Sequence, residues 1–152
     1  MKDQDAISCL KQGDLNGLET LVRRYQARAV HTAYTIVFDR SLAEDVVQTA
    51  FVKAAERIGQ FDDKRPFAPW FFRIVVNDAL KLARKQKRDL SLEEQLDPPT
   101  ALLAKWLADP GLQPDQVMEQ KETSRIILRA IKSLPPGQRA AIVMRYYLDM
   151  SM

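Results

Sequence analysis

Apolar residues recur three and four positions apart along most of the chain, which is the spacing of one face of an α-helix. Between residues 15 and 36 this apolar face consists of Leu15, Leu18, Leu21, Val22, Tyr25, Ala29, Ala33 and Ile36. A second stripe predicts a helix over about 42–58 and consists of Val47, Ala50, Phe51, Ala54 and Ile58. No segment shows the alternation of apolar and polar residues that is typical of a β-strand. The pattern therefore predicts an all-α protein.

Local signals indicate where the first helices begin and end. Residues 3–12 suit a short first helix. Ser41 is followed three residues later by Glu44, which is the spacing of a capping box and predicts the start of the helix over 42–58. Gly59 is expected to end that helix.

Proline residues mark the later helices. Pro69 suits the first turn of a helix, where its missing N–H is not needed, and this helix is predicted to run to about Lys87. Two more helices are predicted over about 114–134 and 138–148. The sharp turn Pro-Pro-Gly at 135–137 separates them.

The predicted helices fall into two groups, residues 1–88 and residues 114–152. The stretch between them, residues 89–113, is predicted to be a Pro-rich linker that holds one short helix over 100–108. The prolines in or next to this stretch are Pro98, Pro99, Pro110 and Pro114. The sequence therefore predicts a helical domain, a linker and a second, smaller helical part.

The composition excludes several classes of protein. Apolar residues make up 46% of the 152 residues, which is enough for a packed core. No run of about 18 apolar residues indicates a membrane span, and the charged N-terminus lacks the apolar segment of a secretory signal. Cys9 is the one cysteine and cannot form an internal disulfide. These features predict a cytoplasmic protein without a membrane span.

Charge is distributed unevenly between two neighbouring segments. Residues 39–63 carry six acids and three bases, a net charge of −3, whereas residues 64–88 carry eight bases and one acid, a net charge of +7. Adjacent segments of opposite charge suggest two different partners. The alternative is that the two segments attract each other.

The helix predicted over 70–88 has two contrasting sides when it is drawn as a wheel at about 100° per residue. The apolar side is expected to be buried and consists of Phe71, Phe72, Val75, Val76, Ala79, Leu82 and Ala83. The opposite side is basic and consists of Arg73, Asn77, Lys81, Arg84, Lys85 and Arg88, with Trp70 and Ile74 among them.

The basic side of this helix suits nucleic acid. Lysine and arginine neutralise phosphates, an exposed aromatic ring can stack on an unpaired base, and the amide of Asn77 can both donate to and accept from a base edge. This combination favours partly opened or single-stranded DNA over an intact duplex. Two alternatives stay open: the face is simply solvated, and Trp70 is a core residue at the start of the helix.

The order of these segments resembles the extracytoplasmic-function (ECF) group of bacterial sigma factors, which are promoter-recognition subunits of RNA polymerase. The stretch KQGDLNGLETLVRRYQARAVHTAY is similar to the opening helices of sigma region 2. The promoter-melting segment of the family has the pattern Phe–x–x–Trp–aromatic/Leu–x–Arg–Ile–x–x–Asn. Here that pattern is matched by Phe67, Trp70, Phe71, Arg73, Ile74 and Asn77.

The resemblance implies two kinds of site. The family's polymerase-binding helix is similar to SLAEDVVQTAFVKAAERIGQFD, and it implies polymerase contacts at Glu44, Asp45 and Gln48. Val47 and Phe51 are expected to be core residues instead. DNA contacts are expected at Lys64, Arg65, Trp70, Arg73, Asn77, Lys81, Arg84 and Arg88.

The C-terminal part, residues 114–152, resembles the start of sigma region 4 and is expected to be incomplete, because the family's helix–turn–helix follows beyond Met152. The family also implies core RNA polymerase, promoter DNA and an anti-sigma factor as partners. The expected function is promoter recognition and melting during transcription initiation. Two alternatives are a truncated regulatory fragment that binds polymerase or an anti-sigma factor without initiating, and a general single-stranded nucleic-acid binder.

No catalytic constellation is visible in the sequence. His31 has no Cys, Asp or His at metal-ligand spacing and is expected to be structural. Cys9 has no activating neighbour, and Tyr146 and Tyr147 are expected to pack between helices. There is also no Gly-rich phosphate loop. The sequence therefore predicts a binding protein rather than an enzyme, with no metal and no cofactor.

Overall fold

The computed structural model describes residues 1–90 and 114–149, with side chains over 1–88 and 122–149. The described residues are helical and contain no strand, which confirms the all-α prediction. A short 3-10 turn follows the third helix and a π-helical turn, Val143–Tyr147, follows the last. The helices are α1 Asp3–Lys11, α2 Leu15–Val37, α3 Arg40–Arg57, α4 Phe67–Leu90, α5 Pro114–Lys132 and α6 Pro136–Ile142.

The connection between α1 and α2 is tight. Gly13 adopts a φ of 86°, which permits the chain to reverse, and the Asp14 side chain caps α2 by accepting a hydrogen bond from the backbone N–H of Asn16 at 3.0 Å. Gly17 then faces α1 so closely that a Cβ atom there would lie 2.1 Å from the carbonyl oxygen of Ala6. The two helices therefore meet through a residue without a side chain.

The start of α3 differs from the prediction. The predicted capping box at Ser41 and Glu44 is wrong. Asp39 caps this helix instead, because its side chain accepts a hydrogen bond from the backbone N–H of Leu42 at 3.0 Å. Ser41 lies inside the first turn, and Glu44 pairs with Arg40 at 3.0 Å. The left-handed backbone of Phe38, with φ 55°, ends α2 and places Asp39 at the cap position.

The core is built largely from the predicted apolar faces. The α3 stripe is buried throughout, as are six members of the α4 arc, whereas Leu82 is half-buried. The predicted burial of Leu15 is wrong: the residue is exposed, because it is the first residue of α2 and lies at the end of the apolar face. Aromatic rings fill the centre, where Phe51 stacks on Phe71 with 4.5 Å between ring centroids.

The C-terminal segment, which consists of α5, α6 and the residues up to 149, packs on α2 and α4. The Arg139 guanidinium lies over the ring of Phe38 at 5.5 Å. Four buried apolar residues of this segment join the same core as residues 1–88: Leu128, Ala140, Val143 and Leu148.

Some helix boundaries differ from those predicted from the sequence. α4 continues to Leu90, two residues into the predicted linker, and α6 begins at Pro136 rather than at residue 138. The rest of that linker and its predicted helix over 100–108 lie outside the described residues. None of the described helices combines the length and apolar character needed to cross a membrane.

Candidate nucleic-acid and polymerase interface

The polar side of α4 forms a continuous exposed face. Its predicted DNA-contacting residues, all exposed, are Arg73, Asn77, Lys81, Arg84 and Arg88. They are spaced three or four residues apart, so at about 1.5 Å rise per residue the face is roughly 22 Å long. The opposite side of the same helix is anchored in the core by Phe71 and Val75, neither of which is accessible to solvent. The side chains of this face are thus presented by a firmly packed helix.

A short loop before α4 adds two more cations, Lys64 and Arg65. Asp62 organises the turn by accepting from the Lys64 backbone N–H at 3.0 Å, and its carboxylate lies 3.9 Å from Arg65 Nε. Lys11 holds the loop against α1 by donating to the Phe61 carbonyl oxygen at 2.8 Å. Both predicted phosphate contacts are therefore exposed beside the start of α4.

Trp70 lies between the core and the exposed face. Its ring centroid is 4.9 Å from that of Phe61 and 5.7 Å from that of Phe67, and the residue is half-buried. The indole therefore does not stand free on the basic face as the helix wheel suggested. Only part of its ring is accessible for stacking on a base.

The predicted polymerase-binding residues lie together on α3. Glu44, Asp45 and Gln48 are exposed, whereas Val47 and Phe51 are buried as expected. Because these three residues occupy positions i, i+1 and i+4 of one helix, they form a compact acidic and polar strip.

A charge pair that the sequence did not single out joins α3 to α4. Lys53 Nζ donates to both carboxylate oxygens of Asp78, at 3.0 and 2.9 Å. The pair lies in an open cleft of about 370 Å³ with Asp45 on the α3 side and Lys81 on the α4 side. The sequence showed that residues 39–63 are acidic and residues 64–88 are basic overall. The pair does not follow from that difference, because it joins a base of the acidic segment, Lys53, to the one acid of the basic segment, Asp78.

The C-terminal segment approaches one end of the basic face. Arg84 Nη2 lies 3.8 Å from the position that a Cβ atom on Gly137 would occupy. The first turn of α6 therefore lies beside one of the predicted phosphate contacts.

The remaining candidates are one histidine, two tyrosines and one cysteine. Burial lowers the pKa of His31, and the Tyr147 hydroxyl lies 3.4 Å from its Nδ1. Tyr146 and Tyr147 are exposed at 82% and 41%, so neither is packed between helices as expected, although partial burial raises the pKa of Tyr147. Cys9 is half-buried in α1. Over the part of the chain that the structure describes, no three metal-ligating side chains come together.

Two family models match the chain. The model of Sigma-70 region 2 matches residues 21–89, which include α3 and most of α4. The model of Sigma-70, region 4 matches residues 124–152. The two matches together indicate a sigma factor of RNA polymerase.

Two relatives show which group of sigma factors the chain resembles. The chain is 30% identical to the ECF RNA polymerase sigma factor SigW of Bacillus subtilis, over 96% of this chain and 79% of that protein. It is 32% identical to the ECF RNA polymerase sigma-E factor of Haemophilus influenzae, over 95% of this chain and 77% of that protein. The chain belongs to the ECF sigma factors. Its function is promoter recognition in partnership with RNA polymerase and promoter DNA.

A solved structure matches the N-terminal part. It is the NMR structure of an engineered region 2 of sigmaE in complex with GTAAAA. The match has a TM-score of 0.54 and 34% identity, and it covers 59% of this chain and 94% of that one.

Proposed function

We propose that α4 and the loop before it carry the DNA contacts of this sigma factor, and that Asn77 reads one unpaired base of the promoter. Asn77 is exposed in the middle of the basic face, while the back of its helix is held in the core. An amide at that position can donate to and accept from one base edge. This juxtaposition is the observation that carries the proposal.

The cations around Asn77 supply affinity without sequence preference. Lys64 and Arg65 would contact phosphates from the loop, and the rest would do so along α4: Arg73, Lys81, Arg84 and Arg88. Trp70 would support a flipped base with the accessible part of its ring. The engineered region 2 bound to GTAAAA, at 34% identity, supports binding of a short strand by the equivalent part of this chain.

The exposed strip of Glu44, Asp45 and Gln48 on α3 is proposed to bind core polymerase. Polymerase docking on α3 would orient α4 directly, because these two helices pack against each other. Bond formation during transcription would belong to the polymerase, so the chain itself would act as a binding protein without catalytic chemistry.

The proposed organisation is a region 2 domain over 1–88, a linker over 89–113 and a region 4 part over 114–152. Such a factor would work in the cytoplasm, where polymerase and promoter DNA are present. An anti-sigma factor is proposed as a third partner, since it could control access to the same two surfaces.

The test is run-off transcription with purified core polymerase on a library of promoter fragments, followed by permanganate footprinting of unpaired thymines. We expect wild-type protein to give transcripts and a melted segment, and Asn77→Ala to lose melting while it still copurifies with polymerase. Glu19→Ala serves as a control, because Glu19 is exposed on α2 and belongs to neither proposed surface. Polymerase binding without any transcript from wild-type protein would instead favour a regulatory fragment.

A further inference from the structure

We propose that Lys53 is a positioning residue for DNA binding: its ammonium group neutralises Asp78, so that α4 presents no unpaired carboxylate beside Asn77. This inference rests on the proposed role of α4 as the DNA-binding helix. It assigns a function in DNA binding to a residue of the helix that carries the polymerase contacts.

The geometry of the pair is that of a full charge neutralisation. Lys53 reaches across from α3 and donates to both oxygens of Asp78, at 3.0 and 2.9 Å. Only 16% of the Asp78 side chain is exposed, whereas the preceding residue, Asn77, is exposed. The carboxylate is therefore covered at the edge of the face that is proposed to meet DNA.

The sequence context makes this carboxylate significant. Asp78 is the one acid among residues 64–88, where it opposes eight bases and gives the net charge of +7. With Asp78 neutralised by a cation from outside that segment, the eight bases act as a net charge of +8. Phosphate binding depends on such local charge, so masking one acid favours the complex.

The cleft around the pair shows what Asp78 would do without Lys53. Lys81 and Lys85 line the same cleft from α4, and Lys81 follows Asp78 by three residues, so it lies beside it on the helix. An unmasked carboxylate would attract Lys81 and draw it away from a phosphate. Asp78 would also repel the DNA backbone directly.

The experiment uses the full chain and three variants: Lys53→Met, Asp78→Asn and the double variant. Binding is measured by fluorescence anisotropy with a labelled GTAAAA strand and a scrambled strand, over a series of salt concentrations. We expect Lys53→Met to weaken binding to both strands by about two- to fivefold, which is the range for one exposed charge interaction. Asp78→Asn should bind at least as tightly as wild type, and the double variant should regain wild-type affinity and salt dependence.

Two results would overturn the proposal. If Lys53 itself contacts a phosphate, the double variant stays as weak as Lys53→Met and its salt slope falls by about 0.7. If total charge alone matters, Arg23→Met weakens binding as much as Lys53→Met does. Arg23 is the matched control, since it is a cation on α2 that is also paired with an acid, Glu19, at 2.7 Å.

Two further variants separate this proposal from the function on which it rests. Asn77→Ala and Lys81→Ala should weaken binding if α4 is the DNA-binding helix. If they do and Lys53→Met does not, only the masking role is wrong. If neither they nor Lys53→Met has an effect, the DNA-binding face lies elsewhere and both proposals fall. Melting curves for all variants exclude loss of folding as the cause.

Discussion

The Tyr147 hydroxyl lies 3.4 Å from Nδ1 of His31, and this contact links the π-helical turn at the end of the C-terminal segment to α2. Arg139 makes a second link by covering the ring of Phe38, the residue that follows α2. Val143 and Leu148 are buried in the same apolar core as residues of region 2, so the C-terminal segment and region 2 share one core.

His31 should make the stability of this interface depend on pH. Burial lowers its pKa from 6.5, so the unfolded chain takes up a proton more readily than the folded one. The stabilising contribution is therefore complete above pH 6.5 and is lost as the pH falls through the lower, folded-state pKa. The melting temperature should fall over that window. Tyr147 stays neutral over the same range, because burial raises its pKa from the ordinary value of 10.0.

The measurement is a thermal melt across a pH series with wild type and His31→Gln. His31 is the one histidine of the chain, so the substitution should flatten the pH dependence below pH 6.5. Tyr147→Phe is the matched control: it removes the hydroxyl but keeps the burial of His31, so the pH dependence should persist. An unchanged slope in His31→Gln would exclude His31 as its source.

Asn77→Ala and Lys81→Ala should affect DNA binding in different ways. A base-edge contact is sequence-specific, so Asn77→Ala should lose about 1–3 kcal/mol on the preferred strand and much less on a scrambled one. Lys81→Ala should weaken all strands alike and reduce the salt slope by about 0.7. Titration of matched and scrambled strands checks both effects. Equal loss on every strand by Asn77→Ala would leave only an electrostatic role for α4.

The strip of Glu44, Asp45 and Gln48 predicts a loss of polymerase binding that is separate from DNA binding. The double variant Asp45→Ala with Gln48→Ala should weaken binding to core polymerase, because two exposed side chains of that strip are removed. Circular dichroism should remain that of wild type, since neither side chain is buried. Glu56→Ala, an exposed acid near the other end of α3, is the control. Undiminished affinity in a pull-down with core polymerase argues against this strip.

Gly17→Ala should destabilise the fold although alanine normally favours a helix. In a helix interior the exchange of glycine for alanine gains about 0.5–1 kcal/mol. Here the new Cβ would lie 2.1 Å from the Ala6 carbonyl oxygen, so α1 must shift, and such overpacking costs about 1–3 kcal/mol. Gly59→Ala is the control, because nothing lies within 4 Å of its added Cβ. Denaturant unfolding should rank Gly17→Ala well below both wild type and Gly59→Ala.

Periodicity predicted the helices and most of the core, since one apolar face repeats without interruption through α2, α3 and α4. It was wrong at Leu15, because a periodic pattern does not tell how far along a helix its apolar face is covered. The start of α3 was misassigned because Asp39 and Ser41 are both good caps, and the left-handed turn at Phe38 decides between them.

The parts of the candidate site that lie on one helix could be predicted from the sequence. The exposed residues of α4 and α3 followed from position on a helix wheel and from the family pattern. The Lys53–Asp78 pair joins residues 25 positions apart and depends on how two helices are placed. Packing of Trp70 on Phe61 depends likewise on the loop between α3 and α4. No one-dimensional pattern contains that information.

The position of Trp70 also has a spectroscopic consequence. Its indole rests on Phe61 while part of the ring remains open at the aromatic end of the basic face. Indole emission shifts when a stacked base replaces water. In a Trp106→Phe background, Trp70 is the single remaining tryptophan of the chain. The protein would then carry its own optical reporter at the place where a promoter strand is proposed to arrive, with no dye attached.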